Sequence, residues 1–176
     1  MSIRAATNDD VPAIQSLIDR SARELSIGYY TAEQIDGAVM HVFGVDSQLI
    51  ADRSYYVIEI DDTIVAAGGW SARRTLYGGD QMKDTEDPRL DPLHEAARIR
   101  AFFVDPAWAR HGLARRLYNE CARAALAAGF TRFELMATAP GVPAYLSLGF
   151  TIVERVNTPL PGGVSVPFAR MTRTIE

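Results

Sequence analysis

The sequence predicts an α+β fold in which about four helices flank a mixed, mostly antiparallel central sheet of about seven strands. Three observations lead there. The 176 residues are 48% hydrophobic and 23% charged, which supplies a core and argues against disorder or low complexity. Apolar residues recur with strand period in some segments and with helix period in others. The segments follow the order β-α-α-β-β-β-α-β-α-β-β without a repeat or linker, so residues 1–176 read as one domain.

Ser2–Ala6 reads as a short strand with Ile3 and Ala5 on one face. Thr7 or Asn8 caps the next helix, whose first turn carries Asp9 and Asp10 and whose buried stripe is Val11, Ile14, Leu17 and Ile18. A second helix spans about Thr31 to Val42, with Gln34 placed to close a capping box on Thr31. Tyr55–Ile60 and Thr63–Trp70 form a hairpin across Asp61-Asp62. Residues 74–95 break the pattern, with Gly78, Gly79, Pro88, Pro92 and acids at 80, 84, 86, 87, 91 and 95. Such a loop is either a solvated connection or a substrate-facing one.

Arg98–Val104 is the next strand. Leu113–Ala128 is a helix with Leu113, Leu117, Cys121, Ala124 and Ala128 on one stripe, an Arg116–Glu120 pair on the opposite face, and Gly129 as its stop. Thr131–Ala137 is a strand, Val142–Leu148 a short helix with Pro143 in its first turn, and Gly149 its stop. Phe150–Arg155 and Pro167–Thr174 close the chain as strands.

The composition also excludes chemistries. No run of 18 apolar residues marks a membrane span, and the N-terminus meets Asp9 and Asp10 before any apolar stretch, unlike a signal peptide. The single Cys121, on an apolar stripe, rules out an internal disulfide and a cysteine metal cluster, and the expected location is cytoplasmic. His41, His94 and His111 lack metal-ligand spacing, so no metal is expected. A serine-hydrolase elbow and a P-loop are both missing from the sequence.

Net charge is −4, which disfavours a nucleic-acid partner. Its distribution is uneven: residues 1–97 hold 8 basic and 17 acidic groups, residues 98–176 hold 10 and 5. Five arginines (98, 100, 110, 115 and 116) face only Asp105 in their stretch, which suggests a specific anion site. Within it, Val104-Asp105-Pro106-Ala107-Trp108-Ala109-Arg110-His111-Gly112-Leu113-Ala114-Arg115-Arg116-Leu117 ends a strand at a proline and opens a helix at Gly112. Free backbone N–H groups and the helix dipole at such a turn suit a phosphate. An ordinary βα turn has the same local spacing.

This segment resembles the pyrophosphate-binding motif of the GNAT superfamily of N-acetyltransferases, Arg/Gln-x-x-Gly-x-Gly/Ala after a strand ending Val-x-Pro. Some thirty residues on, Ala144-Tyr145-Leu146-Ser147-Leu148-Gly149-Phe150 resembles the family's Tyr-x-x-x-Gly-Phe signature. Close resemblance covers roughly residues 97–150. It implies an acyl-CoA N-acyltransferase-like fold, acetyl-CoA as co-substrate and transfer of acetyl to a primary amine. By the same resemblance, backbone groups of Phe103 and Val104 hold the pantetheine arm, and the N–H groups of Arg110, His111, Gly112, Leu113 and Ala114 bind pyrophosphate with help from Arg115. Tyr145 protonates the leaving thiolate, and relatives of this fold often form homodimers.

Three positions depart from the pattern. Ala109 stands where the motif begins with Arg or Gln, Thr138 where an asparagine is common, and Arg98 where many relatives carry a glutamate base. Arginine cannot act as a base near neutral pH, so the amine is deprotonated by another group, with Glu95, His94 and Glu134 as candidates, by a water chain, or not at all if it arrives neutral. Arg98 and Arg100 share a strand face, so they either hold an acidic group of a small amine substrate or form salt bridges to the acidic half. Tyr29 and Tyr30, between two helices, either line the acceptor pocket or pack on the sheet. The expected acceptor is a small molecule. Alternatives of other classes are a non-catalytic acyl-CoA-binding regulatory domain and a protein or peptide N-acetyltransferase drawing basic peptides to the 80–95 acids.

Overall fold

A computed structural model describes residues 1–83 and 87–176. Seven strands, β1 (Ser2–Ala5), β2 (Tyr55–Ile60), β3 (Thr63–Ser71), β4 (Ala97–Val104), β5 (Arg132–Thr138), β6 (Thr151–Pro159) and β7 (Ser165–Thr174), form one sheet in the order β1-β2-β3-β4-β5-β7-β6. Every neighbouring pair is antiparallel except β4 and β5, which run parallel. The α-helices among the described residues are α1 (Val11–Leu25), α2 (Ala32–His41), α3 (Ser47–Ala51), α4 (Leu113–Ala127) and α5 (Val142–Ser147).

The expected elements all form, with one addition. The five-residue α3 lies where the sequence shows no periodic stretch; Asp46 starts it by accepting from the Gln48 N–H at 3.0 Å. Thr31 and Gln34 do close the capping box of α2. The Asp61-Asp62 turn has φ of 48° and 60°, the doubly left-handed form that matches the twist of a two-residue hairpin. On α4 the buried stripe turns out broader than expected and differently centred, with Tyr118, Ala122 and Ala125 beside Leu113, Leu117 and Cys121, while Ala128 is exposed. Glu120 pairs with Arg123 rather than Arg116.

The sheet separates two apolar clusters. On one face α4 packs over Val65, Ile99, Phe133 and Phe150, with Cys121 fully buried. On the other, α1, α2 and α3 pack over Val57, Ala67, Val166 and Phe168. Burial of these side chains, each worth roughly 1.5–3 kcal/mol, fixes both helical layers to the sheet.

Strand β4 carries an irregularity that matters for the site. Its register with β3 shifts so that Ala101 and Phe102 together oppose Gly68. Ala101 takes φ +52° to make the bulge, and the Tyr55 hydroxyl donates to its carbonyl at 2.9 Å. A bulge re-aims the chain beyond it: Phe102 and Val104 turn toward the α4 cluster, Ala101 and Phe103 toward the other. Gly68 leaves room for Phe102, whose ring lies 2.3 Å from where a Cβ would stand.

Candidate active site

Strands β4 and β5 pair only at Ala97–Phe133 and Arg98–Glu134, then diverge. Beyond that point β5 continues to pair with β7, and β4 with β3, so each presents an open edge to the gap. A cavity of about 830 Å³ occupies the gap and reaches both faces of the sheet, touching Leu113 and Leu148 on one side and Phe43, Met136 and Phe168 on the other. An open strand edge in such a slot suits an extended ligand with amides of its own.

At one end stands the turn between β4 and α4. Asp105 caps the short turn Pro106–Trp108 through the Ala107 N–H at 2.9 Å. Arg110 at φ +64° and Gly112 at φ +77° then swing the chain into α4. The N–H groups of Arg110 through Arg115 meet no acceptor among the described residues; the helical ladder starts with Arg116 donating to the Gly112 carbonyl at 3.2 Å. This row of free donors, at the positive end of a 15-residue helix, fits a pyrophosphate. The Gly112 position has no atom within 4 Å of an added Cβ, so the approach is open. Trp108, Ala109, Arg110, Ala114 and Arg115 border the cavity here. His111 turns away, its Nδ1 2.9 Å from the Ala109 carbonyl oxygen and its ring edge-on to Trp108.

Tyr145 lies on α5 at the slot's middle. Its ring packs against Phe102 and Phe150, with centroids 6.1 and 5.7 Å apart, and its hydroxyl makes no hydrogen bond among the described residues. Burial pushes its pKa up from the ordinary phenol value. Thr138 ends β5 and caps the turn before α5, its Oγ1 accepting from the Gly141 N–H at 3.2 Å. Phe103 and Val104 line the gap from β4.

The acetyltransferase (GNAT) family model matches residues 16–150, most of the chain and the elements from β4 through α5 that form the slot. The protein belongs to the GNAT acetyltransferase family. Solved structures share the fold. A GCN5-related N-acetyltransferase from Rhodopseudomonas palustris superposes with a TM-score of 0.70 at 14% identity, over 98% of this chain and 94% of that one. YncA from Salmonella typhimurium, described as a putative acetyltransferase with its cofactor acetyl-CoA, gives 0.65 at 17% identity over 100% and 94%. The ribosomal-protein-S18-alanine N-acetyltransferase from Escherichia coli gives 0.60 at 16% over 99% and 94%. Comparison with curated protein sequences finds no match. The chain is thus an acetyl-CoA-dependent N-acetyltransferase by family.

In this GNAT protein the two β4 arginines are engaged elsewhere. The buried Arg100 donates to Asp46 Oδ2 at 2.9 Å and to the Thr75 and Gly78 carbonyls at 3.1 and 2.6 Å. Asp46, equally buried, also takes Lys83 Nζ at 2.6 Å. Arg98 donates to Glu134 Oε2 at 3.2 Å and to two backbone carbonyls. Neither lines the cavity, so the expectation that they hold an acidic substrate gives way to the salt-bridge reading. The physical reason is reach: each guanidinium is held by three hydrogen bonds to oxygens away from the cavity.

The tyrosine pair divides. Tyr29 is exposed and lines the cavity, whereas Tyr30 is buried, its hydroxyl donating to the Pro167 carbonyl at 2.6 Å and accepting from the Ala139 N–H at 2.8 Å. Burial raises the Tyr30 pKa to about 12, and its role is to tie the α1–α2 turn to β7 and β5. None of the base candidates borders the cavity. His94 sits on Asp91, Glu95 faces Arg74 and the Asp91 N–H, and Glu134 lies between Arg98 and Arg170.

Leu76–Gly79 lines the cavity, in line with the ligand-facing alternative for the 74–95 loop, whereas the Val42–Gly44 part of the wall carried no sequence signal. Gly79 donates to the Val42 carbonyl at 2.9 Å, and Gly44 lets the two segments meet: a Cβ there would stand 2.7 Å from Gln81 Oε1. Gly78-Gly79 was the visible signal that this loop approaches something closely. The described acids of the 80–95 stretch are paired within the protein. Asp80 accepts from Ser47 and Asp87 from the Thr75 N–H, while positions 84 and 86 lie outside the described residues.

Proposed function

We propose that the protein acetylates the primary amine of a small-molecule acceptor by direct attack on acetyl-CoA, with Tyr145 as proton donor. Tyr145 carries this reading: a phenol hydroxyl without a partner among the described residues, on the wall of the slot between β4 and β5. The amine nitrogen forms a bond to the thioester carbonyl carbon, the C–S bond breaks, and Tyr145 Oη delivers its proton to the departing sulfur. The ammonium proton goes to solvent, because no carboxylate or imidazole among the described residues lines the cavity, and water returns a proton to the Tyr145 phenolate to complete the cycle.

Phe103 and Val104 offer backbone groups to the pantetheine arm, and the amides of Arg110, His111, Gly112, Leu113 and Ala114, with Arg115, hold the pyrophosphate. A β4 N–H beside the Ala101 bulge polarises the carbonyl. Tyr29 borders the acceptor end. Two features support a small molecule over a peptide. The cavity matches the volume of ordinary small-ligand sites and must hold part of the donor as well. The acids once available to attract a basic peptide are mostly paired within the scaffold. We place the reaction in the cytoplasm; no helix among the described residues is long and apolar enough to cross a membrane, and the one cysteine is buried without a disulfide.

Mass-spectrometric detection of N-acetylated product from a panel of small amines and lysine peptides tests this. Small amines should be acetylated; turnover of peptides alone would overturn the small-molecule part.

A further inference from the structure

The inference here rests on the acetyl-transfer reading and concerns what the acceptor is made of. The cavity is unevenly charged. Arg110 and Arg115 are its only charged lining residues among those described, the first in the turn before α4 and the second in the first turn of α4. On the opposite face of the sheet, the wall is Leu25, Phe43, Leu76, Tyr77, Phe103 and Phe168. Phe43 meets Phe103 edge-on with centroids 5.8 Å apart, and Tyr77 lies against Phe168 at the same distance. The polar groups at this end are neutral hydroxyls of Ser21, Ser26, Tyr29 and Tyr77.

Two tie points keep this end compact. Tyr30 and Gln34 bind the α1–α2 segment to the Pro167 and Ser165 carbonyls of β7. Gly79 and Gln81 bind the 76–81 loop to the Val42 and Phe43 carbonyls. Arg100, whose guanidinium holds the neighbouring Thr75 and Gly78 carbonyls, is locked to Asp46 with a side chain only 1% exposed. An acceptor carboxylate or phosphate seated against this wall would give up water and meet no cation among the described lining residues at this end, which disfavours an ion left unpaired on burial. A second ammonium group would likewise meet no carboxylate among the described lining residues. Aromatic walls favour the opposite kind of body, flat or branched and apolar.

We infer that the acceptor is a primary amine on a compact apolar body, aromatic or branched aliphatic, with no carboxylate, phosphate or second cationic group. The test compares kcat/KM for three amines with acetyl-CoA saturating: 2-phenylethylamine, phenylalanine, which is the same body with a carboxylate, and spermidine. Phenylethylamine should exceed each of the others at least 30-fold. Comparable or better use of phenylalanine or spermidine would overturn the inference while leaving N-acetyl transfer standing. No turnover of any amine, including lysine peptides, would instead remove the acetyl-transfer reading and this inference with it. Leu76→Arg supplies the missing cation. In a folded variant with unchanged acetyl-CoA KM, the phenylethylamine-to-phenylalanine ratio should fall at least fivefold; an unchanged ratio would count against the apolar wall as the discriminating element.

Discussion

Replacing Tyr145 with phenylalanine separates chemistry from architecture more cleanly than any other single change. The ring supplies the packing, against Phe102 and Phe150 at 6.1 and 5.7 Å, and phenylalanine keeps it. The hydroxyl supplies nothing to the fold, since it bonds to no described residue. Stability should therefore stay within about 0.5 kcal/mol of the parent, the range of substitutions that break no named interaction. Activity should not. Proton delivery by a positioned acid is worth about 10²–10⁴-fold, or about 2.7–5.4 kcal/mol of barrier. The assay is thiol release at saturating acetyl-CoA and acceptor, with a thermal melt of the same sample. The parent enzyme adds a pH signature. Burial raises the Tyr145 pKa, so the proton-bearing form persists above the ordinary phenol range and kcat should show no alkaline fall up to about pH 10. A kcat loss below threefold would take Tyr145 out of the mechanism.

Other perturbations probe the turn, the strap and the surface. Gly112→Ala meets no neighbouring atom but must hold φ +77°, so equilibrium unfolding should show a loss of about 1 kcal/mol, and acetyl-CoA KM should rise about tenfold with acceptor KM unchanged. Arg100→Met leaves the buried Asp46 with only Lys83 as a cationic partner; urea unfolding should report a loss of about 3 kcal/mol, and acceptor KM should rise more than acetyl-CoA KM because the Thr75–Gly78 segment loses its anchor. Asp10 is held at about 2 by its hydrogen bonds with Arg4, below the usual carboxylate range. A depressed native pKa stabilises the fold above about pH 4 and ceases to do so as pH falls toward 2. Asp10→Asn should thus cost about 1 kcal/mol at pH 7, discounted for the solvent-facing Arg4, with parent and variant converging near pH 2 in urea titrations.

What could be read from sequence was what local chemistry specifies. The capping box of Thr31 and Gln34, the Asp61-Asp62 hairpin and the glycine that starts α4 all depend on residues within four positions of one another. The Tyr145 helix and the turn from Val104 to Leu113 came with motifs at fixed spacing. What escaped depends on distant partners. Arg100 looked available because its acid, Asp46, is 54 positions away and caps a helix too short to show a period. Tyr30 looked like its exposed neighbour until Pro167 and Ala139 closed on its hydroxyl. The bulge at Ala101 has no glycine to announce it; Tyr55 and the small Gly68 opposite sustain it from other strands. The apolar wall of the cavity is likewise assembled from five separate segments.

The most direct test of the account follows acetyl groups labelled with carbon-13 from acetyl-CoA in the presence of 2-phenylethylamine. Label should appear on the amine nitrogen in step with free thiol, and Tyr145→Phe should slow both equally. Tight acetyl-CoA binding with no labelled product from any amine in a broad panel would contradict it and leave the chain as a cofactor-binding domain without acetyl transfer.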